Sequence, residues 1–408
     1  MHQPFRRALA VLVALVAALA VVPASGALAA PPAQDPFYTP PSPLPAGQPG
    51  DVIRSRAARF TLDPILKIPA VGVKSWQVLY RTTNANGQPI AVSGTVLVPT
   101  APWRGSGQRP VVTYGVGTRG LGDSCAPSYT LSQGTDYEGA FIASALAKNW
   151  AVVVSDMRGL GTPGAHTYEV GKEQGTAVLD MVRAARRTPG TGLASTGPVG
   201  VMGYSLGGTS AGWAAELAQT YAPELDIKGV SAGGVPADLD AVADGLDGGL
   251  FVAFALFAAV GYDEAYPELN LEGYLNDRGR RTLQQFGDVC LASVDGIKGI
   301  ITTAFTDIDD YVTSNPLDTP QWQARLAENR LGARRPPMPV FQYHGLIDEI
   351  VPFGQAATLR RDWCARGTNL TWKVYPLAEH ALGLAVGAGP AVDFLADRFA
   401  GKAVSGNC

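Results

Sequence analysis

The heptapeptide Met202-Gly203-Tyr204-Ser205-Leu206-Gly207-Gly208 constrains this chain more than any other stretch. It follows a short β run, PVGVM, and opens a helical pattern, TSAGWAAELAQTYA, so the backbone must turn sharply from strand to helix. A side chain at the tip of such a turn holds a strained conformation and tolerates no bulk two residues away; Gly203 and Gly207 remove that bulk. The helix start beneath Ser205 also favours negative charge there. A glycine-rich turn with an incidental serine is the bland alternative, but spacing and context together make Ser205 a candidate nucleophile.

The surrounding pattern fits that turn. From Pro110 onward, strand candidates at Val111–Tyr114, Ala151–Ser155, Val199–Met202, Ile227–Ser231, Val340–Tyr343 and Leu370–Tyr375 alternate with helical patterns. Those helices are expected at Phe141–Lys148, Gly171–Arg187, Leu206–Tyr221, Gln355–Arg366 and Ala391–Phe399. The alternation predicts an α/β fold, a mostly parallel sheet flanked by helices on both faces. Before it, Trp76–Thr82 and Ile90–Val98 flank Asn-Ala-Asn-Gly, the signature of a hairpin. Between residues 233 and 337 the alternation lapses into helical sequence that includes the apolar run Gly249–Tyr262. A span this long is no loop and reads as an inserted, mainly helical cap or lid, with residues 51–232 and 338–408 forming the core. The apolar run, with Asp247 and Asp263 beside it, is too short to cross a membrane.

A nucleophilic serine needs a base. Among His166, His344 and His380, only His380 leaves room for an acid between nucleophile and histidine in the order Ser, Asp or Glu, His. It is expected in a loop after the last strand. His344, in Tyr343-His344-Gly345-Leu346-Ile347-Asp348, reads as a supporting residue, and His166 lies too far upstream. Asp348, at the lip of its strand, is the expected acid; Glu349 is its neighbour and alternative, while Glu379 should point away from His380. For the oxyanion, one donor should be the N–H of Leu206 and another should come from the loop Gly115-Val116-Gly117-Thr118-Arg119-Gly120, around Gly117 and Thr118. That loop also spells G-x-G-x-x-G, but Leu-Gly-Asp-Ser-Cys-Ala-Pro follows, which is poor helix sequence, so nucleotide binding is set aside.

Compartment is readable at the N-terminus. Arg6 and Arg7 precede an apolar stretch from Ala8 to Val22, then Pro23 and Ala27-Leu28-Ala29, the pattern of a secretory signal (residues 1–29) cut near Ala29. Fifteen apolar residues rise only about 22 Å as a helix, short of a roughly 30 Å membrane core. Residues 30–50 are Pro-rich and read as an extended leader without a folded element. Loss of Arg6 and Arg7 leaves 30 basic against 35 acidic residues, and no basic run marks a nucleic-acid surface. The four cysteines Cys125, Cys290, Cys364 and Cys408 form an even count in an exported chain, so two disulfides are expected, in any of three connectivities. Their spacing disfavours a metal site, and acyl transfer by a serine needs neither metal nor organic cofactor.

Taken together, the loop from Tyr114 to Cys125-Ala126-Pro127-Ser128, the elbow GYSLGG at 203–208, HGLIDEIVP at 344–352 and the late His380 resemble the secretory lipase family that includes Candida antarctica lipase A and actinobacterial relatives. The resemblance runs over roughly residues 50–408. It implies an α/β-hydrolase fold with a helical cap over an acyl site, hydrolysis of carboxylic esters or lipids, and contact with a lipid interface. It implies the triad Ser205, Asp348 and His380, and the bridges Cys125–Cys290 and Cys364–Cys408. Family members use an Asp of the early loop as an oxyanion donor, for which this chain offers only Asp123. A peptidase or an acyltransferase of the same fold, or a binding protein without chemistry, are the rival readings.

Overall fold

The computed structural model describes residues 30–408, so the expected signal sequence and its cut near Ala29 lie outside the described residues. One nine-stranded sheet organises the chain, in the order β1-β2-β3-β5-β4-β6-β7-β8-β9. β1 (Val52–Ala58), β2 (Val73–Thr83) and β3 (Pro89–Pro99) run antiparallel to their neighbours. From β4 (Val111–Gly115) and β5 (Ala151–Ser155) through β6 (Pro198–Tyr204), β7 (Asp226–Gly233), β8 (Val340–Gly345) and β9 (Leu370–Tyr375) every pairing is parallel. All residues of β4, β5 and β8 are buried, which explains their unbroken apolar runs: helices cover both faces of the sheet.

The helices follow in chain order. α1 (Pro127–Gln133), α2 (Gly139–Ala147), α3 (Gly171–Arg187) and α4 (Leu206–Tyr221) belong to the core. Between β7 and β8 come α5 (Leu239–Leu246), α6 (Ala253–Ala265), α7 (Asp277–Phe286), α8 (Val294–Thr303) and α9 (Pro320–Glu328). α10 (Phe353–Ala365) and α11 (His380–Phe399) close the core. Helices with no intervening ladder strand thus fill the stretch expected as a cap. Its packing centres on Phe257, whose ring lies edge-on to Phe286 at 4.9 Å and to Tyr168 of the core at 5.9 Å.

Three segments differ from the sequence expectation, each for a physical reason. Residues 32–38 of the leader are folded: two 3₁₀ turns (Pro32–Gln34 and Pro36–Tyr38) bury Phe37 and Tyr38. Tyr38 Oη shares a hydrogen bond with Ser128 Oγ and accepts another from Gln77 Nε2, so two aromatic anchors override the Pro-rich composition. β1, with its alternating arginines, carries no fully buried residue and is a strand because it pairs with β2 at the sheet edge. His380 does not lie in a loop but begins α11, which runs on through Pro390. The helix thus starts eleven residues before the expected Ala391, and Gly383 and Gly387 let it press on Tyr204 and Tyr343, where a Cβ would come within 2.4 and 2.2 Å.

Bridges Cys125–Cys290 and Cys364–Cys408 are both formed, across Cα separations of 5.2 and 5.5 Å. The first joins the loop after β4 to the helical stretch between β7 and β8, beside a short β-bridge, Gly120 to Cys290. The second ties α10 to the C-terminus. No helix among the described residues is long and apolar enough to cross a membrane.

Candidate active site

The carboxyl ends of the central parallel strands converge, and the candidate residues sit just beyond them, where open α/β sheets gather functional groups. Ser205 follows β6 with φ 59° and ψ −127°, a conformation strained for any residue with a Cβ. Its N–H donates to the Gly233 carbonyl, and its own carbonyl accepts from Thr209 N–H as α4 begins. A Cβ on Gly203 would meet the Gly207 carbonyl oxygen at 2.1 Å, and one on Gly207 would meet the Gly115 carbonyl oxygen at 2.0 Å. The two glycines are therefore steric conditions for the turn.

Ser205, Asp348 and His380 are brought together. His380 Nε2 lies 3.0 Å from Ser205 Oγ, and Nδ1 lies 2.9 and 2.8 Å from Oδ1 and Oδ2 of Asp348. A carboxylate can only accept, so the proton sits on Nδ1 and Nε2 is free to accept from the serine hydroxyl. Asp348 is itself held: Oδ1 accepts from the N–H groups of Ile350 at 3.1 Å and Val351 at 2.8 Å. Burial pushes its carboxyl up, but the hydrogen bond and charge of His380, with help from His344 and the Val351 N–H, outweigh burial and hold it below the ordinary aspartate value.

The other candidates are placed differently. His344 is buried, its Nε2 donates to the Val351 carbonyl at 2.9 Å, and burial lowers its affinity for a second proton, so it supports the Asp348 turn as a neutral ring. His166, pushed down to about 4 by burial, bonds the Arg158 carbonyl through Nδ1. Glu349 does not reach the imidazole; its Oε2 accepts from the backbone N–H of His380 at 3.1 Å. Glu379 caps α11, accepting from Ala381 and Leu382.

Among the expected oxyanion donors, Leu206 opens α4, so its N–H belongs to the first-turn donors that have no intrahelical partner. Gly117 is a correction: its N–H is spent on buried Glu138, donating to Oε1 at 3.0 Å. Arg119 sits over the Tyr137 ring and pairs with Asp136 at 2.9 Å and Glu138 at 3.5 Å, which clamps this loop from beneath. Thr118 bonds Tyr168 Oη through its hydroxyl, and its carbonyl accepts from Tyr137 Oη. Asp123 is a second correction. It lies in a 3₁₀ turn next to the Cys125 bridge, its carboxyl pushed up by burial and by Asp288 while it accepts from the Gly161 backbone. That places it beside the Cys125–Cys290 bridge, against Asp288.

Sequence reading missed several residues that fix the site. Tyr204 donates its hydroxyl to the His380 carbonyl at 2.7 Å and lies 5.0 Å from the imidazole, ring to ring. It sits inside the G-x-S-x-G motif, so its position was visible although its partner was not. Glu138 and Arg119 carried no sequence signal, since their pairing depends on two loops meeting. Beside Ser205 opens an apolar cavity of about 80 Å³. Leu246 of α5, Phe254, Leu256 and Tyr262 of α6, and Tyr168 and Glu169 of the loop before α3 help to line it. Among the described residues, no group of three or more His, Cys, Asp or Glu side chains is arranged to hold a metal.

The profile of the secretory lipase family matches residues 126–407. A protein of Mycobacterium tuberculosis (strain CDC 1551 / Oshkosh), named a probable inactive lipase, is 32% identical over 369 residues, covering 87% of this chain and 79% of that protein. A secreted triacylglycerol lipase of Malassezia furfur is 30% identical, covering 88% of this chain and 74% of its own. In three dimensions the chain is similar to Candida antarctica lipase A in its closed state, with a TM-score of 0.82, 31% identity, and coverage of 94% of this chain and 89% of that one. The chain shares the α/β-hydrolase fold of that structure.

Proposed function

Because the chain belongs to the secretory lipase family, we propose that it hydrolyses carboxylic esters, lipid esters foremost, through Ser205, His380 and Asp348. The observation that carries this reading is the continuous contact from Asp348 through the His380 ring to Ser205 Oγ. His380 Nε2 takes the hydroxyl proton as Ser205 Oγ bonds to the ester carbonyl carbon; Asp348 stabilises the imidazolium. The tetrahedral oxyanion rests on the Leu206 N–H and on the early loop, with Thr118 taking the place Gly117 cannot fill. Collapse expels the alcohol, which receives its proton from His380. Water then repeats the sequence on the acyl-enzyme, His380 taking one proton and returning it to Ser205 as the acid leaves.

The cap-lined cavity would receive the acyl chain, and residues 233–337 act as the lid. Apolar side chains spaced three and four apart on α8 (Val294, Ile297 and Ile301), followed by Phe305, stand exposed and would face a lipid surface. Export with removal of residues 1–29 agrees with the family and with two bridges that need an oxidising compartment. The mycobacterial relative and the Arg- and Ala-rich composition favour an actinobacterial source.

Hydrolysis of p-nitrophenyl esters from acetyl to palmitoyl, with Ser205→Ala as blank, tests this reading. Turnover that disappears in Ser205→Ala is expected, with a maximum at medium or long chains; full turnover in that variant would end the assignment. The mycobacterial relative's name favours one second reading, a binding protein without chemistry. Failure of wild-type Ser205 to label with a fluorophosphonate would select it.

A further inference from the structure

Most residues lining the cavity beside Ser205 are apolar; Glu169 and Tyr262, both buried, bring a carboxyl and a phenol to its wall. Glu169 comes from the core loop that leads into α3; Tyr262 comes from α6 of the cap. Gly261 lets the two approach: a Cβ there would come within 2.3 Å of the Tyr168 backbone nitrogen, so α6 rests directly on the loop that carries Glu169. Glu169 holds a φ of 58°, a strained value for a residue with a Cβ.

Neither group is saturated by the protein. Tyr262 Oη has no hydrogen-bond partner although the residue is 1% exposed. Buried tyrosine hydroxyls ordinarily find one. Glu169 receives one side-chain bond, from Thr209 Oγ1 to Oε2 at 2.7 Å, out of the several its oxygens can make. Burial pushes its carboxyl up to about 8, and the Thr209 bond only tempers that, so it is mostly a neutral acid near pH 7, able both to donate and to accept. An aliphatic acyl chain offers these two groups no hydrogen bond. A hydroxyl on the chain can donate to Glu169 or accept from Tyr262.

We propose that Glu169 and Tyr262 form a polar subsite in the acyl cavity, and that the esters best matched to this protein carry a hydroxyl on the acyl chain. The proposal rests on the serine-hydrolase reading above and deepens it: it names the acid released as a hydroxylated fatty acid. The cavity accommodates the group, since a single water needs only roughly 10–15 Å³ of such space.

The test is kcat/KM for p-nitrophenyl octanoate and for a set of hydroxyoctanoates in which the hydroxyl is moved from carbon to carbon. At one position or two adjacent ones, the wild type should prefer the hydroxy ester by about tenfold to a hundredfold. Glu169→Leu should lose that preference and gain severalfold on plain octanoate; Glu169→Gln, which keeps donor and acceptor, should retain most of the preference. Tyr262→Phe should reduce it. A merely structural Glu169 would lower both rates together and leave their ratio alone. A wild type without preference at any position, or an undiminished preference in Glu169→Leu, overturns the subsite. If the wild type hydrolyses no ester, the hydrolase reading fails, and calorimetry on Ser205→Ala still decides the subsite. Octane-1,n-diols should then bind at least severalfold tighter than 1-octanol at one n, and equal affinities would overturn it.

Discussion

Two buried carboxyls, one behind the triad imidazole and one on the cavity wall, behave in opposite ways. Asp348, at the reacting end, is surrounded by an imidazole, a second histidine and two backbone N–H groups, and its affinity for a proton falls despite burial. Glu169, on the cavity wall, has only the Thr209 hydroxyl, and burial prevails. Desolvation acts on both; the neighbours decide the outcome. The strand ends supply fixed dipoles that keep a charge where an imidazole must be oriented. The wall, built half from a core loop and half from the cap, supplies almost none.

The largest effect that would break this contrast is at the reacting end. Asp348→Asn keeps the shape and a hydrogen-bonding side chain but offers an amide to Nδ1, so the imidazole loses its orienting charge and its enforced tautomer. A drop in kcat of about 10⁴-fold is expected, with the melting temperature little changed. A loss under tenfold would mean that Glu349 or His344 can replace it, and the reacting end would no longer differ in kind from the wall.

Next comes the tie between the two halves of the cavity. Cys125–Cys290 closes a sequence separation of 165 residues, worth roughly 5 kcal/mol against unfolding by chain entropy. The pair Cys125→Ser with Cys290→Ser should lower stability in urea by most of that amount. The triad, built wholly on the core, should still label with a fluorophosphonate, whereas chain-length preference should broaden because the cap half of the wall is loosened. Loss of labelling with intact core secondary structure would show that the cap also holds the reacting end, through Gly120 and the early loop.

The carboxyls should also write opposite signs into the pH dependence of stability. Glu169 binds its proton more tightly folded than unfolded. Its contribution is therefore complete below an ordinary glutamate value near 4.5, declines as pH rises and is gone above about 8. Asp348, depressed when folded, contributes above the ordinary aspartate value of 3.8 and loses that contribution as pH falls through its lowered folded value. Urea unfolding at pH 5 and pH 9 should show a decline of a few kcal/mol that Glu169→Gln flattens. A wild-type profile that rises across this window would show Glu169 ionised in the native protein.

How much of this was legible in the sequence follows the same division. The buried parallel strands announce themselves as short apolar runs because both faces are covered, and the elbow does so because only glycine fits at 203 and 207. Ser205, His380 and Asp348 could be named from order and strand ends alone. Loop partnerships could not: Gly117 looked like a free donor until Glu138, twenty-one residues on, proved to hold its N–H. Asp123 looked like part of the early loop until the Cys125 bridge drew it toward the cap. Glu169 lies in His166-Thr167-Tyr168-Glu169-Val170-Gly171, where nothing periodic marks one residue as facing a cavity. Such positions are set by contacts between distant segments, and only the folded chain brings those segments together.

The smallest expected effect concerns the outside of the cap, where the contrast between charge-holding core and apolar cap reaches the surface. Val294, Ile297, Ile301 and Phe305 are 82%, 57%, 66% and 74% exposed, an apolar stripe turned mostly to solvent. Placing even part of it in a lipid surface returns apolar area that water otherwise covers, worth a few kcal/mol at about 25 cal/mol per Å². Ile297→Asp with Ile301→Asp removes that gain and adds two charges that resist leaving water, at little cost to a fold that does not bury them. Activity on an emulsified triglyceride should fall about tenfold, while a water-soluble butyryl ester is turned over within twofold of wild type. Equal losses on both substrates would place the stripe in the service of the cap's own stability. No loss on either would leave the lipid surface to be met by some other part of the molecule, such as Leu377 beside the entrance to α11, which is 85% exposed.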